Sequence, residues 1–337
     1  MAKVTLQSIA DRVGVSRMTV SNAFSRPDQL SAELRAKILA AADELGYVGP
    51  DPAARALARG RTGSVGIMLN DRISEAFEDA IAAEFFASVA DSLADAGFAM
   101  TLLTPRSSPD FVPSRDVGMD AALVYICEPD SEHLGWLDRR GLPQVSVDQN
   151  LRVGVPGVNV DDRGGARAAA QHLVDLGHTA VGIVTLDNSS GAPSDSYPAR
   201  ERMLGWRDAL DAAGIEPVVV GAPYRPSTAA REVARELLSR PDRPTALLCF
   251  SDAFATGAIR AAEDLGLSVP EDVSIVGFDD SSLAPLSRPP LTTVRQDVAE
   301  KGRRAVGTLI ARMAGEQPPD VLLPTELVVR ESTAPPR

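Results

Sequence analysis

Apolar residues in the first 45 positions recur at helical rather than strand spacing. Leu6, Ile9, Ala10 and Val13 share one face of a segment opened by Thr5 and ended by Gly14. Ser16 caps a second segment, Arg17–Phe24, and Ser31 a third, in which Leu34, Ile38 and Leu45 recur before Gly46. Gly-Pro-Asp-Pro at 49–52 then breaks the chain, and Asp51 with Pro52 predicts a short helix, Pro52–Arg59, stopped by Gly60. From Ser64 the pattern changes. Short β-rich apolar runs (Val65–Leu69, Ala99–Leu103, Ala122–Ile126, Val145–Val147, Val181–Thr185, Val218–Val220, Ala246–Phe250, Val273–Phe278) alternate with longer helical ones. The helical runs are Glu75–Ala96, Gly164–Leu176, Arg200–Ala213, Thr228–Ser239, Phe254–Leu265 and Val298–Met313. Repeated strand–helix–strand units predict an α/β body of parallel sheets with helices on both faces. Eight or more strands suit two doubly wound lobes, with crossings near 148–162 and 290–295.

Charge divides the chain at the same place. Residues 1–60 hold eight Lys/Arg against six Asp/Glu, whereas the remainder holds 26 against 40. An acidic body repels a polyanion, so any nucleic-acid contact is confined to the N-terminal segment. No apolar stretch reaches the ~18 residues that span a bilayer, and the first residues lack the apolar core of a secretory signal, which predicts a cytoplasmic setting. Cys127 and Cys249 each sit in an apolar run and read as buried thiols rather than a disulfide. With His133, His172 and His178 they offer no metal-ligand spacing, so no metal and no cofactor is expected.

The segment Leu6–Phe24 has helix-turn-helix form. Ala10 lets two helices approach, Gly14 permits the tight turn, and Val15 and Val20 fill the space between them. The second helix then offers Arg17, Met18 and Asn22 near its start, the part that enters a major groove. Arginine pairs bidentately with guanine and asparagine with adenine, while methionine offers only apolar contact. Thr5, Ser16, Thr19 and Ser21 suit phosphate oxygens, which set register without carrying sequence information. The plain alternative is an ordinary three-helix fragment.

Val4-Thr5-Leu6 through Ser21, with Ser31, Glu44-Leu45-Gly46-Tyr47 and Ala54-Arg55-Ala56-Leu57, closely resembles the N-terminus of LacI/GalR-type bacterial transcription regulators. The likeness continues through Gln171–His178, Arg202–Trp206, Phe250-Ser251-Asp252 with Ala255–Ala258, Asp272–Asp280 and Pro290–Val294. The body also resembles periplasmic sugar-binding proteins. The resemblance implies a helix-turn-helix domain at 1–47, a linker and hinge helix at 48–61, and an effector-binding and dimerisation domain at 62–337. Within the last, one lobe covers about 62–160 and 293–322, the other about 161–291 and 323–337. It implies that Arg17, Met18 and Asn22 read bases, with Arg55 among the DNA contacts, and that Leu57 wedges into the minor groove at the operator centre. One feature departs from the family. Proline usually follows the tyrosine by two residues and leucine by nine; here Pro50 and Leu57 follow Tyr47 by three and ten. The assignment of Leu57 therefore places the extra residue before Asp51. Asn22 stands where many relatives carry arginine and implies a changed base preference.

In the body, the resemblance makes Asp279 and Arg202 effector contacts. A carboxylate after a strand accepts from two vicinal hydroxyls, and a guanidinium suits hydroxyls, carboxylate or phosphate. The plain alternatives are a helix cap for Asp279 and a surface ion pair for Arg202. Asn70, Phe77, Asp148, Tyr224 and Ser251 are further candidates at or near strand ends, with a structural role standing beside each. Asp252 reads as an orienting or capping residue, His172 and His178 as structural, and Trp206 as core.

Three functions compete. A ligand-controlled regulator, most readily a repressor, needs two recognition helices and hence a homodimer, with a tetramer open; its expected effector is a sugar, or alternatively a purine or nucleoside. A cytosolic solute-binding protein shares the body but has no use for the head. An enzyme would need a Gly-rich phosphate loop, nucleophile elbow or metal set, and the sequence shows none. The expected mechanism is coupling: lobe closure alters the spacing of the hinge segments and so the affinity for DNA.

Overall fold

The computed structural model describes residues 4–49, 51–69, 73–104, 106–127, 131–188, 191–224 and 228–337. The chain divides into two compact units, Met1–Gly63 and Ser64–Arg337.

The first unit packs α1 (Leu6–Val13), α2 (Arg17–Ser25) and α3 (Ala32–Glu44) around Ile9, Ala10, Val20, Ala23, Ile38, Ala41 and Ala42. Val15 packs against this core, as its place between the helices predicts. The turn from α1 to α2 needs Gly14, whose φ of 79° lies in the left-handed region that a side chain resists. A short helix, α4 (Pro52–Arg59), follows; Asp51 caps its start by accepting from the Ala53 and Ala54 N–H groups at 2.8 and 3.1 Å.

The second unit contains β1 (Ser64–Leu69), α5 (Ile73–Glu78), α6 (Ala80–Asp95), β2 (Ala99–Leu103), α7 (Pro113–Asp116), β3 (Ala121–Tyr125), α8 (Glu132–Arg139), β4 (Gln144–Val147) and β5 (Gly157–Val160). There follow α9 (Asp162–Asp175), β6 (Val181–Asp187), α10 (Tyr197–Ala212), β7 (Val218–Pro223), α11 (Ala229–Leu238), β8 (Ala246–Cys249), α12 (Asp252–Asp264) and β9 (Ser274–Asp279). The chain ends with β10 (Thr292–Gln296), α13 (Val298–Met313), β11 (Val321–Leu323) and β12 (Thr325–Val328).

Two six-stranded sheets result, ordered β11-β5-β4-β3-β1-β2 and β12-β10-β9-β8-β6-β7. The first is parallel throughout; in the second, β12 runs antiparallel to β10. The chain passes between the sheets three times, after β5, β10 and β11. This corrects the lobe boundary expected at 293. Thr292–Gln296 is a strand of the second sheet, paired with both β9 and β12, so the second crossing falls at Asp297. Its Thr-Thr-Val core is β-branched, and the Thr293 hydroxyl is tied to buried Asp252 at 2.5 Å. The single helix expected over Glu75–Ala96 is also two, because the Asp79 carboxylate accepts from the Ile81 N–H at 2.9 Å and starts α6 afresh.

Among the described residues, no helix is long and apolar enough to cross a membrane. Cys127 and Cys249 are both buried.

Candidate functional site

Caps and core orient the head's presented residues. Thr5 and Ser8 form a reciprocal cap on α1, at 3.4 and 3.3 Å. Ser16 Oγ accepts from the Thr19 N–H at 3.0 Å and shares a 2.8 Å hydroxyl contact with Thr19, fixing the start of α2. Val20 and Ala23 point that helix's apolar face inward, which leaves Arg17 and Met18 exposed at its N-terminal end; Met18 is 69% exposed, unusual for so apolar a side chain. Ser21 and Asn22 are half-buried, and the Asn22 amide donates to Gln29 Oε1 at 3.1 Å. On α4, Leu57 is 87% exposed. Arg55 is half-buried and close enough to Tyr47 to oppose the rise that burial gives the phenol's pKa.

In the body, polar side chains gather where parallel strands of both sheets end, the ordinary position of a binding site in doubly wound proteins. Asp148 follows β4, Asp162 follows β5 as the first residue of α9, Ser251 follows β8, and Asp279 and Gln296 close β9 and β10. The backbone is bent to place several of them. Asp148, Asp279 and Asp280 adopt φ of 52°, 115° and 55°, conformations that non-glycine residues hold only where their surroundings enforce them.

One buried network joins these ends. Arg202, near the start of α10, donates from Nε to Asp162 Oδ1 at 2.8 Å, from Nη1 to the Phe250 carbonyl at 2.6 Å, and from Nη2 to Asp279 Oδ1 at 3.4 Å. Its guanidinium lies 3.6 Å from the Phe278 ring centre. Asp279 Oδ1 also accepts from Gln296 Nε2 at 2.7 Å. Gln296 Oε1 accepts from Lys301 Nζ at 3.0 Å, and Lys301 donates to Asp148 Oδ2 at 2.6 Å. The chain of contacts therefore runs Asp162–Arg202–Asp279–Gln296–Lys301–Asp148, from the second sheet to the first.

Burial dominates its electrostatics. It raises Asp162 to about 6, against the pull of Arg202, and pushes Asp279 well above the usual carboxylate range. Burial also works against the charge of Arg202, but Asp162 and Asp279 outweigh it and hold the guanidinium charged. Tyr197 is raised to about 12 by burial and by neighbouring Asp162. Tyr224 is raised by burial and by Asp79, whose carboxylate takes its hydroxyl's hydrogen bond. Since Asp79 caps a helix of the first lobe and Tyr224 ends a strand of the second, this contact also spans the lobes. So does the 2.7 Å bond from Arg200 to Asn150.

The candidates read from sequence divide accordingly. Arg202, Asp279 and Asp148 belong to the network, and Tyr224 borders it, its ring 6.0 Å from Phe254. Ser251 is buried and caps α12, accepting from the Phe254 N–H at 3.4 Å. Phe77 is largely exposed, its ring 6.0 Å from that of Phe86. Asn70 lies outside the described residues. Asp252, read from sequence as an orienting or capping residue, accepts from the Ser281 N–H at 2.7 Å and from Thr293. His178 and His172 tie the C-terminal tail to the second lobe through the Ala334 carbonyl and Thr333, and Trp206 is core.

Sequence reading missed Asp162, Gln296 and Lys301. The signal for Lys301 was present, since it falls on the apolar stripe of α13 with Val298, Ala305 and Leu309. A lysine there is buried and must be paired.

Comparison with known proteins agrees with this arrangement. Residues 5–49 match the family model "Bacterial regulatory proteins, lacI family", and residues 170–333 match a periplasmic binding protein-like domain. An HTH-type transcriptional regulator of Mycolicibacterium smegmatis is 37% identical over 99% of this chain and 97% of its own. A solved CelR–cellobiose complex, a transcriptional regulator, superposes with a TM-score of 0.71 at 31% identity, covering 98% of this chain and all of that one. A Lac repressor dimer bound to operator and an anti-inducer gives 0.83 at 25% identity, covering 99% and 100%. The chain thus belongs to the LacI family: it is a DNA-binding transcriptional regulator with a periplasmic-binding-protein-like body, not an enzyme.

Proposed function

We propose that this regulator is a repressor that binds a palindromic operator as a homodimer, its affinity set by a small effector, a sugar, held between the lobes. One observation carries the effector half: charged side chains at strand ends of both sheets converge on one buried network, in which Asp148 Oδ1 and Asp162 Oδ2 have no hydrogen-bond partner. Cellobiose in the CelR complex supports the sugar class, and the operator-bound Lac repressor dimer supports paired heads.

In the head, Arg17, Met18 and Asn22 read bases in the major groove; Thr5, Ser16, Thr19, Ser21 and Arg55 hold the phosphate backbone. Leu57 enters the minor groove. An eight-residue helix with so exposed a leucine is marginal alone and gains stability from a twin and from DNA. Gly60–Gly63 runs directly into β1, so a change in lobe closure acts on α4 through a short connection. In the cleft, Arg202, Asp279 and Asp148 contact the effector, with Tyr224, Ser251 and Phe77 around it; Asn70, outside the described residues, is a further candidate from the sequence. The setting is cytoplasmic, with nucleoid association when operator is bound.

The test is selection of duplexes from a random library by the full chain, followed by gel-shift competition. The selected site should be two-fold symmetric, and a scrambled duplex should fail to compete. Equal competition by the scrambled duplex contradicts the proposal.

A further inference from the structure

The network's hydrogen-bonding balance says what kind of ligand it accepts. Arg202, which in isolation suits an anion, is already committed. Its Nε, Nη1 and Nη2 all donate within the protein, and two carboxylates, Asp162 and Asp279, neutralise it. Lys301 is 1% exposed and spends its charge on Asp148. What remains unsatisfied is acceptor capacity. Asp148 Oδ1 and Asp162 Oδ2 are fully buried and make no hydrogen bond within the protein. The two residues are 4% and 2% exposed and belong to one network, Asp162 through Arg202 and Asp148 through Lys301. Buried polar atoms are rarely left without partners, and a carboxylate oxygen can be satisfied only by a donor.

Charge points the same way. Arg202 and Lys301 are each paired with a buried carboxylate, Asp162 and Asp148, so neither is left as a free cation. A phosphate or carboxylate approaching these residues meets buried carboxylates and no unpaired cation, where screening is weak. A hydroxyl meets two waiting acceptors.

Resting on the effector reading above, we infer that the cleft selects an uncharged polyhydroxylated ligand whose hydroxyls donate to Asp148 and Asp162, and rejects phosphorylated and carboxylated counterparts. Asp162, Lys301 and Asp148 act as the charge filter. Lys301 pairs with Asp148 at 2.6 Å and so offers no free cation to an anion.

The experiment is a thermal-shift and calorimetric comparison on the full chain at pH 7.5. The probes are glucose, ribose and cellobiose set against glucose 6-phosphate, ribose 5-phosphate and glucuronate. At least one uncharged sugar should raise the melting temperature, and its anionic counterpart should bind at least about 30-fold more weakly. Tighter binding by an anionic probe overturns the charge filter and leaves the effector reading standing. Binding by neither class overturns the effector reading, and this inference with it. In Asp162→Asn, uncharged-sugar affinity should fall at least about tenfold and the gap to the anionic probe should narrow. Unchanged affinity and an unchanged gap in that variant refute the role of Asp162. The wild-type comparison decides the ligand class whether or not the variant folds.

Discussion

Lys301 Nζ stands 2.6 Å from Asp148 Oδ2, a fully buried ion pair between residues 153 positions apart. It fastens the first turn of α13 to the end of β4, next to two of the three crossings between sheets. A buried pair of this kind is not a large net source of stability, because desolvating both charges offsets most of their attraction. Its removal by halves is costly, because the surviving charge stays buried.

Lys301→Met should therefore destabilise the body by about 3–5 kcal/mol, while Lys301→Met with Asp148→Leu should recover most of that loss. Thermal and urea melts of the two variants check this. A double variant no more stable than the single one contradicts the account.

Arg202 is positioned by helix packing as well as by charge. Gly205 sits where α10 crosses α9, and a Cβ added there would meet the Arg163 carbonyl and Ala166. Gly205→Ala should push the helices apart, cost about 1–3 kcal/mol, and loosen Arg202 from Asp162. Urea unfolding with calorimetric titration of the effector should show both losses; a variant matching the wild type in both excludes the role.

Leu57→Ala should leave the fold intact and weaken binding to the selected palindrome at least tenfold, about 1.4 kcal/mol, with little effect on non-specific duplex. Fluorescence anisotropy, with circular dichroism as the control for folding, measures it. Unchanged affinity for the palindrome removes the wedge from Leu57 and reopens where the extra linker residue is accommodated.

Asp252 supplies a pH prediction. Burial, outweighing hydrogen bonds from Thr293 and Ser281, raises its carboxyl to about 6 from an ordinary 3.8. The folded state thus holds this proton more tightly than the unfolded chain does. The associated stability is fully present below about pH 4, is lost as pH rises to about 6, and amounts to of order 3 kcal/mol. Relative to Asp252→Asn, which does not titrate there, the wild type's melting-temperature advantage should shrink across that window and be flat above it. An advantage constant from pH 4 to 7 contradicts the shift.

The architecture was largely legible because strong periodicity marks it. The three head helices and α13 lie close to where spacing and caps place them. What escaped was written in weak patterns. β10 reads as polar because its threonines and Gln296 bury hydroxyls and an amide rather than aliphatic carbon. β5, β11 and β12 are three or four residues long, too short for alternation to register. At the site, Arg202 and Asp279 stood out beside recognisable motifs. Asp162, Gln296 and Lys301 did not, because each serves through a long-range partner, and sequence spacing carries no record of which distant carboxylate a buried lysine will meet.

The central claim is that occupancy of the cleft governs the grip on DNA. The most direct measurement is operator affinity with and without saturating effector, in the wild type and in Asp279→Ala. The wild type should change at least about fivefold, consistent with a coupling of 1–3 kcal/mol. Asp279→Ala should bind operator as the unliganded wild type does and ignore the effector. A wild type indifferent to saturating ligand, or an Asp279→Ala variant that responds normally, would contradict the account.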